Sequence, residues 1–322
     1  MADLLFGGAL AEKSDRGEES MSWPGYLDLH ASGELARRVE AAERLMDGCR
    51  LCPRECGALR LRQKTGACGI GDDTVVSSFG PHFGEEAPLV GRGGSGTIFF
   101  ARCNLCCVFC QNYDISQRGE GRTVSAEELA WMMVELQQAG CHNVNLVTPT
   151  HQLPQILRGL LRAVAGGLRL PIVYNCGGYE SLEALRLLNG IVDIYMPDFK
   201  YADAEVAERC SGVPAYPAVA EAATREMHRQ VGDLALDRRG VAVRGLLVRH
   251  LVLPNGLAGT ERVMRVLAGL STDTYVNVMA QYRPCYCAHE HPRLARRPTR
   301  DEYAEALRLA REAGLRRLDG YC

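Results

Sequence analysis

The sequence has no excess of charge of either sign. Its 37 Lys and Arg stand against 39 Asp and Glu, a formal net charge of −2. The global basic field that marks nucleic-acid binders is therefore missing. Aromatic residues are sparse, 7% with two Trp, so there is no series of stacking platforms either. No apolar run approaches the ~20 residues of a transmembrane helix. The first twenty residues, MADLLFGGALAEKSDRGEES, lack the basic opening of a signal peptide and turn acidic and polar. They read as a partly disordered start, with Met21 as an alternative beginning. The expectation is a cytoplasmic protein with no membrane and no nucleic-acid partner.

Cysteine, by contrast, is abundant: fourteen in 322 residues. Disulfide scaffolds are short and exported, so clustered cysteines in a long chain without an export signal point to metal. Seven of them form two tight groups. The rest are Cys106, Cys141, Cys176, Cys210, Cys285, Cys287 and Cys322, the last expected to be free.

From residue 96 onward, apolar runs rich in β-formers alternate with helical segments. The runs are 96–101, 143–148, 171–175, 192–197, 245–253 and 273–280. A short strand is expected near 75–79. Residues 33–47 predict an amphipathic helix behind Ser32 as N-cap. Residues 125–140 and 299–314 open on capping boxes, Ser125 with Glu128 and Thr299 with Glu302. Continuous apolar strands alternating with helices imply a parallel sheet covered by helices. Six strands predict an α/β fold, a partial (β/α)6 TIM-like barrel with a small N-terminal Cys-rich metal-binding module. The expected divisions are 1–47 (tail and amphipathic helix), 48–95 (Cys-rich module and connecting loop), 96–284 (barrel core) and 285–322 (C-terminal loop and helix).

Directly after the first barrel strand the chain reads CNLCCVFC. Cys103, Cys107 and Cys110 have C-x3-C-x2-C spacing at a strand end, where such barrels place their chemistry. Three thiolates on a four-iron cubane leave one iron open, as a catalytic centre requires. Cys106 permits a rival C-x2-C-x3-C spacing, or a fourth ligand closing a zinc knuckle. Cys49, Cys52, Cys56 and Cys68 form the second group, suited to zinc or to an auxiliary iron–sulfur cluster. Polar residues gather at the later strand ends. Those ends carry Thr148, Thr150 and His151, then Asn175 with Gly177 and Gly178, then Asp198 and Lys200. Arg249 and His250 follow, one of the two facing the lumen, and then Asn277, Gln281 and Tyr282. HFGEEAP (82–88) reads as a lid or as a solvated loop, and CYCAHEH (285–291) as a surface loop or a zinc site.

The triplet with an aromatic residue, Phe109, before its last cysteine resembles the radical S-adenosylmethionine (SAM) superfamily. LCPRECG, HFGEEAPLVG, CNLCCVFCQNYDIS, NLVTPTH, YMPDFKYAD, RHLVLPN, QYRPCY and RRPTRDEY together resemble its pyruvate formate-lyase activating enzyme-like branch. The resemblance implies a [4Fe–4S] cluster on Cys103, Cys107 and Cys110 that reductively cleaves SAM to methionine and a 5′-deoxyadenosyl radical. It implies SAM contacts from Phe109, Thr148, Thr150, His151, Asn175 (near the ribose), Asp198, Arg249 and His250. The usual Gly-Gly-Glu-like stretch is replaced here by Thr148–His151. The implied partners are an electron donor such as flavodoxin or ferredoxin and a protein substrate that yields hydrogen from a glycine. A tailoring enzyme acting on a small molecule or peptide, and a non-catalytic iron–sulfur or zinc electron-transfer protein, are the alternatives.

Overall fold

A computed structural model describes residues 23–319. The readings made for the first twenty residues and for Cys322 lie outside the described residues. Two short helices, α1 (Tyr26–Ala31) and α2 (Glu34–Arg44), come first. Ser32 does not cap α2. It closes α1, donating its amide and hydroxyl to Asp28 O, and Gly33 at φ 74° turns the chain into α2. A left-handed residue suits glycine, so the helix boundary falls one residue later than Ser32 implied.

The chain then runs through β1 (Thr74–His82), α3 (Ala87–Val90), β2 (Ser95–Phe100), β3 (Arg122–Val124), α4 (Ala126–Gln138) and β4 (Val144–Val147). Next come α5 (Leu153–Ala165), β5 (Ile172–Cys176), α6 (Leu182–Leu188), β6 (Ile194–Pro197), α7 (Ala204–Ser211) and α8 (Tyr216–Val231). The last elements are β7 (Ala235–Leu236), β8 (Ala242–Leu251), α9 (Thr260–Ala268), β9 (Tyr275–Met279), α10 (Arg300–Glu312) and β10 (Arg317–Asp319). Both expected capping boxes form. Ser125 Oγ accepts from Glu128 N at 3.1 Å and Glu128 Oε2 from Ser125 N at 2.8 Å, and Thr299 and Glu302 repeat the pattern.

Strands β2, β4, β5, β6, β8, β9 and β10 lie side by side and parallel. Six of them are the strands expected from sequence, and β10 extends the row by a seventh. At the opposite edge β1 pairs antiparallel with β2, and β3 with β1. The sheet is an open path from β3 to β10, a partial TIM-like barrel. The parallel strands are buried on both faces, β2, β4, β5 and β6 almost throughout. Helices therefore cover the outside, and side chains fill the lumen below its mouth. The N-terminal helices are held to the barrel by polar contacts. Arg158 on α5 reaches Glu43 Oε1 at 2.6 Å and Asp72 Oδ1 at 2.8 Å, and Arg38 donates to Leu187 O at 3.0 Å.

Candidate active site at the cysteine triplet

A cavity of about 420 Å³ opens where the parallel strands end. Its wall takes Phe99 from β2, Val147 from β4 and Thr148 just beyond it, Asn175 from β5, Asp198 and Lys200 beyond β6, Arg249 from β8 and Met279 from β9. Cys103, Cys107 and Cys110 line the same cavity and Cys106 does not. The local backbone explains the sorting. Arg102 and Cys106 take left-handed conformations, φ 70° and 55°. The reversal at Cys106 turns its thiol back onto Cys103 O at 3.2 Å while its neighbours face inward.

Each of the three inward sulfurs accepts a hydrogen bond. Leu105 N donates to Cys103 Sγ at 3.3 Å, Ser211 Oγ to Cys107 Sγ at 3.1 Å, and Ser116 Oγ to Cys110 Sγ at 3.1 Å. Donors aimed at sulfur favour the thiolate form that binds metal. Burial works the other way, pushing the Cys103 thiol up to about 12 and raising Cys110 as well. Metal loading must therefore displace protons. Three sulfurs held on one rim of a cavity fit a cubane with one corner left to a small ligand. Among the described residues no three His, Cys, Asp or Glu side chains close on a single metal ion.

Phe109 is buried and packs edge-on against Tyr201 and Tyr282, with ring centroids 6.2 and 5.7 Å away, so aromatic rings back the cysteine loop. Thr148 sits at φ 60°, rare for a β-branched residue, with its amide on Asn175 O at 2.8 Å. Such strain concentrates at functional sites. Asn175 and Asp198 line the cavity, and Lys200 Nζ donates to Asp198 Oδ2 at 2.5 Å. Gly178, at φ 76°, is required by the turn: a Cβ there would meet Asp198 O at 2.3 Å.

The alternation along β8 resolves as one residue in and one out. Arg249 faces the lumen and forks onto Glu86, Nε to Oε1 at 2.7 Å and Nη2 to Oε2 at 2.8 Å, with Glu85 also on Nη2. Glu86 is 5% exposed and takes a further bond from Asn277 at 2.8 Å. Burial tends to raise its pKa, but the Arg249 charge and these bonds hold it below the ordinary carboxylate value. HFGEEAP is thus neither wholly a lid nor solvated, because its two glutamates are anchored on a barrel strand.

Three of the expected SAM contacts do not reach the cavity. His250 points outward, donating from Nδ1 to Phe199 O at 2.8 Å and accepting from Thr260 Oγ1 at 2.9 Å. His151 lies under the first strand, its Nε2 donating to Ala101 O at 2.9 Å. Burial lowers both imidazoles to about 4, so they are neutral core groups. Thr150 donates to Glu180 Oε1 at 2.7 Å in the interior. Strand alternation and the helical turn after Pro149 carry these side chains away from the lumen. Sequence reasoning missed Ser116, Ser211, Gln111 and Asn112, which surround the cysteines or line the cavity. A serine within a short helical turn (Ser116) or at the end of a helix (Ser211) carries no signal of a sulfur contact.

Glu180 is fully buried against Thr150 and Tyr174, and burial raises it to about 7. Its proton is bound in the folded chain and lost from the unfolded one between about 4.5 and 7. Stability from this group is thus complete below about 4.5 and lost as pH rises through 7. Glu180→Gln is expected to be more stable than the parent above pH 7 by about 3 kcal/mol, and to lose that advantage near pH 4.5. Urea unfolding at both pH values checks it. Asp193, also raised to about 7, titrates in both proteins and cancels in the comparison.

In the second cysteine group Cys49 packs with Leu45, Met46 and Leu51, just after α2. Cys49, Cys52 and Cys68 are buried and Cys56 is exposed. They lie within electrostatic reach of one another, with Arg60 Nη1 at 3.9 Å from Cys49 Sγ. The sulfurs as placed do not preform a single-ion site. The loop at 285–291 likewise brings no three metal donors together.

Residues 97–231 match the radical SAM superfamily. Over 301 residues the chain is 34% identical to an uncharacterized protein of Methanocaldococcus jannaschii, covering 91% of this chain and 80% of that one. Among the described residues no helix is long and apolar enough to cross a membrane. With the triplet at the mouth of a partial barrel, and with the superfamily match running from β2 to the end of α8, the chain belongs to the radical SAM superfamily and is a radical SAM enzyme.

Proposed function

We propose that Cys103, Cys107 and Cys110 hold the cluster, and that the enzyme acts as an activator that takes a hydrogen atom from a glycine of a partner protein. The observation that carries the first part is the sorting of the sulfurs: three face one cavity and Cys106 is turned away. When bound, a [4Fe–4S] cluster with SAM at its open iron supplies one-electron cleavage of SAM and the 5′-deoxyadenosyl radical that removes hydrogen from substrate.

The chain's own residues do the rest. Ser116, Ser211 and the Leu105 amide orient the three sulfurs. Phe109, with Tyr201 and Tyr282 behind it, keeps water from the cluster side. Asp198 and Lys200 offer opposite charges to the amino-acid end of SAM, and Thr148 and Asn175 face its nucleoside. Arg249, fixed by Glu86, presents its remaining N–H groups to the cavity. Asp198 and Lys200 are paired with each other at the cavity wall.

The anaerobically reconstituted protein is expected to release 5′-deoxyadenosine from SAM when dithionite is added. No release from protein with full iron and sulfide would sink the reading. A partner deuterated at glycine is expected to pass deuterium into the 5′-deoxyadenosine. Deuterium arriving from a small molecule or peptide instead would make this a tailoring enzyme. A flavodoxin or ferredoxin is the fitting electron donor, and the cytoplasm the fitting location. Cys49, Cys52, Cys56 and Cys68 are proposed to bind a second metal, zinc or an auxiliary iron–sulfur cluster. Metal analysis of the Cys103→Ala, Cys107→Ala, Cys110→Ala triple variant reads that centre alone.

A further inference from the structure

One side chain reaches from the first cysteine group to the triplet loop. Arg54 lies between Cys52 and Cys56, yet its guanidinium reaches out of that module. Nε donates to Asn104 O, and Nη2 donates to Leu105 O at 3.2 Å and to Ser211 O at 2.9 Å. Those three carbonyls belong to two separate segments. Asn104 and Leu105 lie inside the triplet loop, and Ser211 is the last residue of α7. Ser211 in turn is 4% exposed, and its hydroxyl meets Tyr201 OH at 2.9 Å and Cys107 Sγ at 3.1 Å. A second link runs beside it, Val108 N to Cys210 O at 2.9 Å.

We propose that Arg54 is a positioning residue through which the N-terminal module sets the hydrogen bond on Cys107 Sγ, and with it the reduction potential of the cluster. The inference rests on the assignment of Cys103, Cys107 and Cys110 as cluster ligands. A planar guanidinium can bridge three carbonyls from two segments, whereas an ammonium is a point charge without that fork. Hydrogen bonds to cluster sulfurs stabilise the reduced, more negative state and raise the potential. Arg54 gathers the loop carbonyls and the Ser211 carbonyl onto one group, so it fixes how far the Ser211 hydroxyl stands from Cys107.

The test uses the full chain with its cluster reconstituted, read by potentiometric titration with electron paramagnetic resonance. Ser211→Ala is expected to lower the midpoint potential and Ser211→Thr to restore it. Arg54→Lys keeps the charge and removes the fork. It is expected to lower the potential in the same direction and to alter the line shape of the reduced cluster. It should also speed iron loss to a chelator by about tenfold, the equivalent of one charged hydrogen bond. Combining Arg54→Lys with Ser211→Ala is expected to shift the potential by less than the sum of the two, because both act on one bond. Full additivity, or an Arg54→Lys protein with unchanged potential and line shape, overturns the proposal. If Arg54→Lys does not fold, Arg54→Gln is read in the same way. A parent protein that takes up no cluster would overturn the ligand assignment itself, a failure distinct from any difference between variants.

Discussion

Cys107→Ala is expected to lose the cluster and to cut SAM cleavage by at least about 10³-fold, the scale on which loss of an essential group is felt. Cys106→Ala is expected to keep both. The two residues are adjacent and chemically identical, so composition cannot tell them apart. The backbone can: Cys106 at φ 55° returns its thiol to Cys103 O, while Cys107 is 7% exposed and lines the cavity under the Ser211 hydroxyl. Iron and sulfide analysis, the spectrum of the reduced protein and 5′-deoxyadenosine release check the pair. Loss of the cluster from Cys106→Ala with retention in Cys107→Ala would reverse the assignment.

The second large effect is on stability. Arg249→Met is expected to cost about 3–5 kcal/mol, because it leaves a buried carboxylate without its partner. The Glu86 side chain is 2% exposed and has the guanidinium fork as its main compensation. The same logic predicts recovery: adding Glu86→Gln removes the more buried of the two stranded charges and returns part of the loss, the rest staying with Glu85. Urea unfolding of the metal-free proteins measures both. A single variant within about 0.5 kcal/mol of the parent, the range of ordinary surface changes, would mean that the network carries little stability.

Much of the barrel was legible because its strands are buried on both faces. The apolar run Ile-Tyr-Met-Pro at 194–197 is buried throughout, and it is β6. The capping boxes at Ser125 and Thr299 were equally readable, since each is a local exchange of hydrogen bonds. Less legible were elements whose reason for existing is tertiary. β10 is three residues, Arg-Leu-Asp, and forms because β9 offers it a ladder. α7 is short and polar, and the sequence gives little sign of it. At the site, the cysteine spacing and the strand-end positions of Asn175, Asp198 and Arg249 put those residues at the cavity. Placing Thr150, His151 and His250 there failed for a common reason: proximity to a strand end does not say which side of the chain a side chain leaves from. The partners of Glu85 and Glu86 lie more than 160 residues away on β8, a distance that local pattern cannot bridge.

The short last strand bears on how copies of this molecule behave in solution. Without it, β9 would offer a free row of amides and carbonyls to any other chain. β10 takes up that row, and two of its three residues are charged: Arg317 lies over the Tyr275 ring at 5.5 Å and Asp319 accepts from Tyr275 OH at 3.0 Å. Among the described residues β10 is the outermost strand, and an outer strand with charged side chains is a poor template for further pairing, so this margin of the sheet is guarded against edge-to-edge association.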